Sequence, residues 1–290
     1  MRINTNVSSL MAQNANTQNN IGLNSSLEKL SSGLRINKAS DDASGLSIAD
    51  KLRTQASSIG QAIKNGNAAI TMTQIADKAM AEQSNILDII KTKLVQASTG
   101  TTTTAGVAAI SADIVKLAEQ LDNIAANTNY NGQTLLQSSS TSKAVAATKT
   151  FQMGEFSGDT ITLGNGTAGI AASGAIQANM SGLLDMDSAG ALSISTNAQA
   201  SALLDNLDTA LETLNTMRST VGSTQNRIES SVRNLDSTVT NLKAAESSIR
   251  DVDYAAESAN FNKLNIIAQA GTYAISQANS SQQNVMRLLQ

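Results

Sequence analysis

Large apolar residues recur every seven positions between residues 207 and 249, and this period predicts one long amphipathic helix. The repeated positions are Leu207, Leu214, Val221, Ile228, Leu235, Leu242 and Ile249. The positions three residues after them are mostly small, which is typical of a coiled-coil seam where two helices approach closely. At 1.5 Å per residue this helix would be about 65 Å long. We therefore predict that these residues form the core seam of a rod.

A second long helix is predicted between residues 44 and 98. Its apolar stripe comprises Ile48, Leu52, Ile59, Ile63, Ile70, Ile75, Ala79, Ile86 and Ile90. Asp41, Asp42 and Ser44 supply oxygens that can cap the first turn. The helix ends where the turn-rich, β-branched run at 98–104 begins.

Both ends of the chain also show helical periodicity, but they carry almost no charge. There is no Asp, Glu, Lys or Arg from Ile3 to Leu27, and after Leu264 only Arg287 is charged. The positions predicted to face other helices are Ile3, Val7, Leu10, Ile21 and Leu27, and then Leu264, Ile267, Gly271, Ala274, Ala278, Val285 and Leu288. Exposed termini are normally solvated. We therefore predict that the two terminal helices pair and that further helices cover their broad apolar faces.

The middle of the chain differs from both halves. A shorter helix is predicted at 105–127, and the run NYNG at 129–132 predicts a turn. From 138 to 196 the chain is rich in Ser, Thr and Gly, and helical periodicity disappears. Two short alternating runs, 149–154 and 159–164, predict a hairpin.

The predicted fold class is mainly α, with long antiparallel helical rods of coiled-coil type, paired terminal helices and a small β-hairpin region in the middle. The chain divides into five predicted segments. They are 1–43 (first terminal helix and linker), 44–137 (rod helices), 138–196 (short variable β and loop segment), 197–250 (long rod helix) and 251–290 (last terminal helix).

Composition argues against catalysis. Histidine and cysteine are absent, which removes the commonest general base and the usual zinc ligands. The aromatic content is 2% and the net charge is -3, so neither a base-stacking platform nor a basic footprint for nucleic acid is expected. No apolar run is long enough for a membrane span, and no cleaved leader is recognisable. We predict a protein that is not an enzyme and that has no catalytic, cofactor or metal site and no membrane insertion.

Three short motifs admit a chemical interpretation. GNGTAG at 164–169 has the spacing of a dinucleotide-binding loop, but no alternation of strands and helices surrounds it, which favours a flexible turn. Asp251 and Asp253 could act as an acid and a base, and Asp41 with Asp42 could bind a cation. Both pairs precede predicted helices, so capping is the favoured interpretation.

Several separated motifs resemble those of bacterial flagellins. LEKLSSGLRINKASDDASGLSIADKLR at 27–53 resembles the N-terminal signature of that family, and NYNGQTLL at 129–136 resembles the segment after its third helix. AESSIRDVDYAAESANF at 245–261 and QAGTYAISQANSSQQNVMRLL at 269–289 resemble the C-terminal signature. The resemblance covers roughly 1–136 and 198–290, and the motifs occur in the family's order.

The resemblance implies an extracellular subunit of the bacterial flagellar filament, which serves swimming motility. It implies terminal helices around a central channel and long helices outside them. It also implies export in a largely unfolded state by the flagellar type III apparatus, and partners that include an export chaperone, the filament cap and junction proteins. The segment between the two signatures is short here, so large outer domains are expected to be missing. Exposed Ser and Thr within 138–196 are the expected glycosylation sites, although the sequence does not specify which ones.

The resemblance also concerns a host toll-like receptor. The segment that this receptor reads in the family falls on 87–96 of this chain. Strongly stimulating flagellins carry Arg at the place of Ile89 and Glu at the place of Thr92. An aliphatic side chain cannot replace the donor fork of arginine, so weak receptor activation is expected.

A mechanism follows from the uncharged ends. One chain cannot cover the broad apolar faces of its terminal helices, so these segments are expected to be disordered in the free subunit and to fold on assembly. Contacts between subunits that do not close into a ring would then build an open helical homopolymer. The alternatives are a hook–filament junction protein, a secreted coiled-coil adhesin and an enzyme carried in the variable segment. The last would need a catalytic insert that this short segment does not contain.

Overall fold

The computed structural model describes residues 6–136, 149–163, 194 and 196–288, and among these the side chains of 282 and 284–288 are not described. Five helices account for most of the described chain. They are α1 (Val7–Ser32), α2 (Ala43–Ser98), α3 (Thr104–Asn127), α4 (Asn197–Arg250) and α5 (Tyr254–Leu288). Four short strands are described between α3 and α4. They are β1 (Asn129–Tyr130), β2 (Gln133–Thr134), β3 (Lys149–Gln152) and β4 (Thr160–Leu163). The predicted fold class is confirmed.

Aspartate caps start two of the helices, as their positions in the sequence predicted. Asp42 Oδ1 accepts a hydrogen bond from the Gly45 backbone N–H at 2.9 Å, in the first turn of α2. Asp253 Oδ1 accepts one from the Ala255 backbone N–H at 2.9 Å, in the first turn of α5. Each carboxylate satisfies an amide that has no partner within its helix. Capping is therefore confirmed for Asp42 and Asp253.

Both predicted β features are present. Asn131 and Gly132 have φ angles of 51° and 76°, as a two-residue hairpin turn requires, and they join β1 to β2. β3 pairs with β4 in antiparallel register, with Phe151 opposite Ile161. The motif at 164–169 and most of the Ser and Thr in 138–196 lie outside the described residues.

The chain forms two compact units, one of residues 1–56 with 239–290 and the other of residues 57–238. The first half of the predicted α4 seam is fully buried in the second unit. Its buried members are Leu207, Leu214, Val221 and Ile228, all at or below 1% exposure. Leu235, Leu242 and Ile249 are half-buried. The five-segment division follows helix ends and stays a prediction.

The apolar stripe predicted for α2 was wrong at two positions. Ile48 is 48% exposed and Ile75 is 37% exposed. The buried positions of α2 include many small residues instead. Among them are Ala49, Ala56, Ala62, Gly66, Ala69, Thr73 and Ala76. A close helix contact favours alanine and glycine over large side chains, so a search for isoleucine and leucine misplaced the stripe.

The β3–β4 hairpin packs onto the helices of its own unit. Met153 and Ile228 are buried together, with Phe151 and Val232 partly buried beside them. Gly66 makes room for this contact, because a Cβ at its position would lie 2.6 Å from Val232 Cγ2 and 2.8 Å from Met153 Cε. The hairpin is therefore seated on a glycine of α2.

Candidate assembly surface on the terminal helix pair

Helices α1 and α5 pack against each other in antiparallel orientation through a seam of small and polar residues. The α1 positions that are half-buried or buried at spacings of three and four are Ser9, Ala12, Asn16, Asn19, Leu23, Ser26 and Leu30. Those of α5 are Glu257, Phe261, Leu264, Ala268, Gly271, Ile275 and Ala278. We call these two sets the inner seam. The pairing of the terminal helices agrees with the predicted fold.

Side-chain donors reach backbone carbonyls across the inner seam. Asn19 Nδ2 donates to the Leu264 carbonyl at 2.9 Å. Farther along the pair, Asn6 Nδ2 donates to the Ala278 carbonyl at 3.1 Å, and Asn6 also caps α1 by accepting from the Ser9 N–H. At the other end, the Tyr254 hydroxyl donates to the Leu30 carbonyl at 3.2 Å. These three polar side chains thus form bonds within the chain.

One hydrogen bond of the seam joins two side chains. The hydroxyl of Ser26, which is 2% exposed, donates to Oε1 of Glu257. This bond, assisted by Asn260, lowers the pKa of the Glu257 carboxyl, and burial opposes the shift. The ionised form of Glu257 is therefore the form that the helix pair stabilises.

The outer side of the pair is apolar. Five large apolar residues of α1 are more than half exposed: Val7 52%, Leu10 61%, Met11 69%, Ile21 58% and Leu27 52%. On α5 the exposed large residues include Ile266 67%, Ile267 43% and Tyr273 72%. Ile21 and Ile266 lie about 160 to 200° around their helices from the seam positions, at 100° per residue. We call this set the outer face. The pair thus differs from an ordinary helical hairpin, which buries most of its large apolar residues in the seam. Here the seam holds five of them, namely Leu23, Leu30, Phe261, Leu264 and Ile275, and the others named above are exposed.

The predicted contact positions divide between these two surfaces. Val7, Leu10, Ile21, Leu27 and Ile267 belong to the outer face, and Ala274 is also exposed; Leu264, Gly271 and Ala278 lie half-buried in the inner seam. Ile3 lies outside the described residues, and the side chains of Val285 and Leu288 are not described. Met11, Ile266 and Tyr273 were missing from the predicted set. Their spacing from the seam could have identified them, since Ile266 and Tyr273 are seven residues apart.

Two linkers are joined where the helix pair meets α2 and α4. The Arg35 N–H donates to the Arg250 carbonyl at 2.7 Å, and the Val252 N–H donates to the Gly33 carbonyl at 3.0 Å. The two arginines reinforce this contact reciprocally. Arg35 Nη2 donates to the Ile249 carbonyl at 2.7 Å, and Arg250 Nε donates to the Ile36 carbonyl at 3.3 Å. The linker after α1 and the linker before α5 are thus held together by hydrogen bonds.

The aspartates considered for catalysis or cation binding have structural partners. Asp41 Oδ2 accepts from the backbone N–H groups of Lys38 and Asn37 at 3.0 and 3.1 Å. These bonds lower the pKa of the Asp41 carboxyl. Asp251 accepts from the Ser247 hydroxyl at 2.6 Å. Within the described residues, no group of three or more acidic side chains could hold a metal ion.

The predicted receptor segment lies on α2. Ile89 is 45% exposed and Thr92 is exposed, with the Thr92 hydroxyl donating to the Ile89 carbonyl at 2.8 Å. Leu87 and Ile90 are buried. The two positions that carry the receptor prediction are therefore on the surface of the chain.

None of the helices described here has an apolar stretch that could cross a membrane.

Two family models match most of the chain. The model of the bacterial flagellin N-terminal helical region matches residues 3–141, and that of the bacterial flagellin C-terminal helical region matches residues 204–289. These ranges contain both terminal helices and nearly all of α2, α3 and α4. They leave 142–203 between them, which includes most of the predicted variable segment at 138–196.

Individual relatives agree with the family models. Flagellin B of Helicobacter pylori strain J99 is 53% identical over 160 residues, which cover 55% of this chain and 30% of that protein. The chain thus matches about a third of that longer relative. The flagellar filament 33 kDa core protein of Treponema phagedenis is 33% identical over 293 residues and covers 100% of both chains.

A solved structure shares the fold. A protein assigned as flagellar hook-associated from Vibrio parahaemolyticus superposes with a TM-score of 0.57 at 12% identity, covering 73% of this chain and 100% of that one. At this level of identity the likeness shows the arrangement of helices alone.

Proposed function

The chain belongs to the bacterial flagellin family, and we propose that it is the structural subunit of an extracellular bacterial flagellar filament, in which copies of the chain cover each other's outer faces. The observation that carries this proposal is the apolar outer face of the terminal helix pair. Several polar side chains of the pair form bonds within the chain, while the large apolar residues of the outer face remain exposed. A full-length match to a filament core protein supports the same function.

The energetics favour association. Covering a Val, Leu, Ile or Met side chain that would otherwise be exposed stabilises by roughly 1.5 to 3 kcal/mol. The outer face presents several such residues on each helix, and soluble monomers rarely expose large contiguous apolar surfaces. Met11 and Leu27 are both more than half exposed and lie about 160° apart around α1, at 100° per residue, so one neighbour cannot cover both. Contacts of this heterologous kind build an open helical polymer.

The same surface implies that the terminal helices fold when they assemble. A free subunit leaves the outer face in water, so the pair lacks part of the burial that would offset the entropy of ordering two long helices. Disordered ends also suit export in an unfolded state through the flagellar type III apparatus. An export chaperone, the filament cap and junction proteins are the further partners that this route requires, and swimming motility is the role of the assembled filament.

Receptor activation by this subunit is proposed to be weak. Ile89 and Thr92 are both exposed, so their side chains are the ones a receptor would meet. Neither can form the charge-assisted bonds of the Arg and Glu that strongly stimulating relatives carry there.

The flagellin family is a family of structural proteins, and we propose that this member has no enzymatic activity. A hook–filament junction protein is the main alternative, because a hook-associated protein shares the fold. A junction protein would form a short layer of limited extent, whereas a filament subunit grows without limit. A coiled-coil adhesin would stop at a small closed oligomer.

A truncation tests the proposal. Deletion of residues 1–27 removes all five α1 residues of the outer face but leaves α2, α3 and α4 intact. We expect a soluble, mostly helical monomer by circular dichroism and sedimentation, and no growth on filament seeds. Filaments formed by the truncated chain would refute the role given to the terminal helices.

A further inference from the structure

Helix α1 turns its less apolar side toward α5. Its outer face carries Val7, Leu10 and Ile21, whereas its inner seam carries Ser9, Asn16 and Asn19. Burial of apolar area alone would favour the opposite orientation, with the large side chains between the helices. Some other property of the seam must therefore determine which side of α1 meets α5.

One seam residue has an unfavourable environment. Within the described part of the chain, Asn16 Oδ1 is buried and has no hydrogen-bond partner. A buried acceptor without a partner lowers stability. Asn16 faces Gly271, where an added Cβ would lie 3.0 Å from that oxygen. The amide therefore fits at this position because its partner residue is glycine, and its oxygen accepts no hydrogen bond there.

The next polar residue of the seam, Asn19, has a hydrogen-bond partner on α5. Asn19 Nδ2 donates to the Leu264 carbonyl at 2.9 Å. A side-chain amide in such a seam reduces stability and restricts the partners and arrangements that a helix accepts. Leu23 and Leu30 lie in the same seam. A leucine in place of Asn19 would add a third large apolar residue to the α1 seam, one turn before Leu23, and would favour self-association.

We propose that Asn16 and Asn19 are specificity-determining residues that restrict α1 to pairing with α5 and prevent α1 from pairing with α1 of another copy. This inference rests on the proposed function, because unassembled copies of a filament subunit present many unpaired α1 segments, which could fold against one another. The two amides reduce the stability of the seam and in return prevent off-pathway association. The outer face remains available for contacts between copies in the polymer.

Disulfide trapping can measure this restriction, because the chain has no cysteine of its own. Gly22 is a suitable site, since a Cβ there would lie 3.8 Å from the Leu264 methyl groups, an ordinary contact distance. The full-length G22C chain is oxidised without seeds, and its disulfide-linked dimer is quantified on non-reducing gels. Asn19→Leu is compared in this background with Asn19→Gln, which keeps an amide, and with Asn14→Leu. Position 14 lies seven residues from both Val7 and Ile21, so this control makes the same chemical change on the opposite side of the helix.

We expect Asn19→Leu to raise the dimer yield about tenfold. The net free energy of one polar contact corresponds to about a tenfold change in the dimerisation equilibrium. Asn19→Gln and Asn14→Leu should stay at the yield of the G22C parent. Equal yields for Asn19→Leu and Asn14→Leu would overturn the proposal, and so would a yield for Asn19→Gln that matches that of Asn19→Leu. A fall in helix content without any rise in dimer would also overturn it, since that result indicates a merely structural role. The assay does not require polymerisation, so the failure of the cysteine-free chain to grow filaments would count against the proposed function separately.

Discussion

Ser26 and Glu257 form a hydrogen bond between side chains across the α1–α5 seam, with the Ser26 hydroxyl donating to the Glu257 carboxylate. The two residues are 231 positions apart in the chain. Ser26 is buried, and its bond makes the ionised form of Glu257 favourable in the helix pair. This contact ties the stability of the pair to the protonation state of one carboxyl group.

The first prediction concerns the pH dependence of that contact. The folded-state pKa of Glu257 lies below its unfolded value, so the stabilisation is complete above the unfolded pKa and is lost as the pH falls through the folded pKa. Ser26→Ala should therefore destabilise filaments at pH 7 by about 1 kcal/mol. Thermal dissociation of filaments, compared between parent and variant, should show a difference at pH 7 that shrinks below about pH 4. Ser31→Ala, on the exposed side of α1, is the control, and a difference that does not change with pH would contradict this assignment.

A second prediction uses two glycines of α2. Gly66→Ala should destabilise the unit of residues 57–238 by about 1 to 3 kcal/mol, because the new methyl group would overlap Val232 and Met153. Gly60→Ala meets nothing within 4 Å and should stabilise by up to about 1 kcal/mol through helix propensity. Urea unfolding of the two variants measures both signs. Equal effects would show that the hairpin does not rest on Gly66.

A third prediction compares two leucines of α4. Leu214 is 0% exposed, so Leu214→Ala should cost about 2 to 5 kcal/mol. Leu242 occupies the same position of the seven-residue repeat but is half-buried, so Leu242→Ala should cost less than half as much. Chemical denaturation of each variant gives the two values. A larger loss at Leu242 would show that the seam is buried along its whole length.

A fourth prediction concerns the host receptor. The double variant Ile89→Arg and Thr92→Glu places a donor fork and a carboxylate at two exposed positions of α2 and should raise the potency of the protein in a toll-like receptor reporter-cell assay. Thr71→Arg with Gln74→Glu, at two exposed positions of α2 with the same spacing and outside 87–96, serves as the charge-matched control. Full potency of the parent protein at low concentration would refute the proposed weak activation.

Much of this fold follows from patterns within the chain, and the exceptions have a physical cause. The seven-residue repeat of α4, the Asp42 and Asp253 caps and the turn at Asn131 all depend on neighbouring residues, so the sequence was sufficient to predict them. The buried positions of α2 were partly misplaced because a close helix contact uses alanine and glycine, which a search for large apolar residues passes over.

The assembly surface shows the same limit. The uncharged ends predicted that α1 and α5 would pair and would need further partners. They did not reveal that Asn19 and Ser26 would lie in the seam while Ile21 and Tyr273 would lie outside it. Periodicity identifies the two sides of a helix, but it does not specify which side meets which partner. That choice depends on contacts such as Asn19 with Leu264, between residues far apart in the chain.

If copies of this chain cover each other's outer faces, electron microscopy after seeding will detect the resulting filaments. The full-length protein should grow long filaments whose mass increases with protein concentration. Ile21→Asp, which places a charge on the outer face where Ile21 is 58% exposed, should keep its helix content by circular dichroism and form no filaments. Filaments of equal length from Ile21→Asp, or a parent protein that stops at a small closed oligomer, would contradict the account.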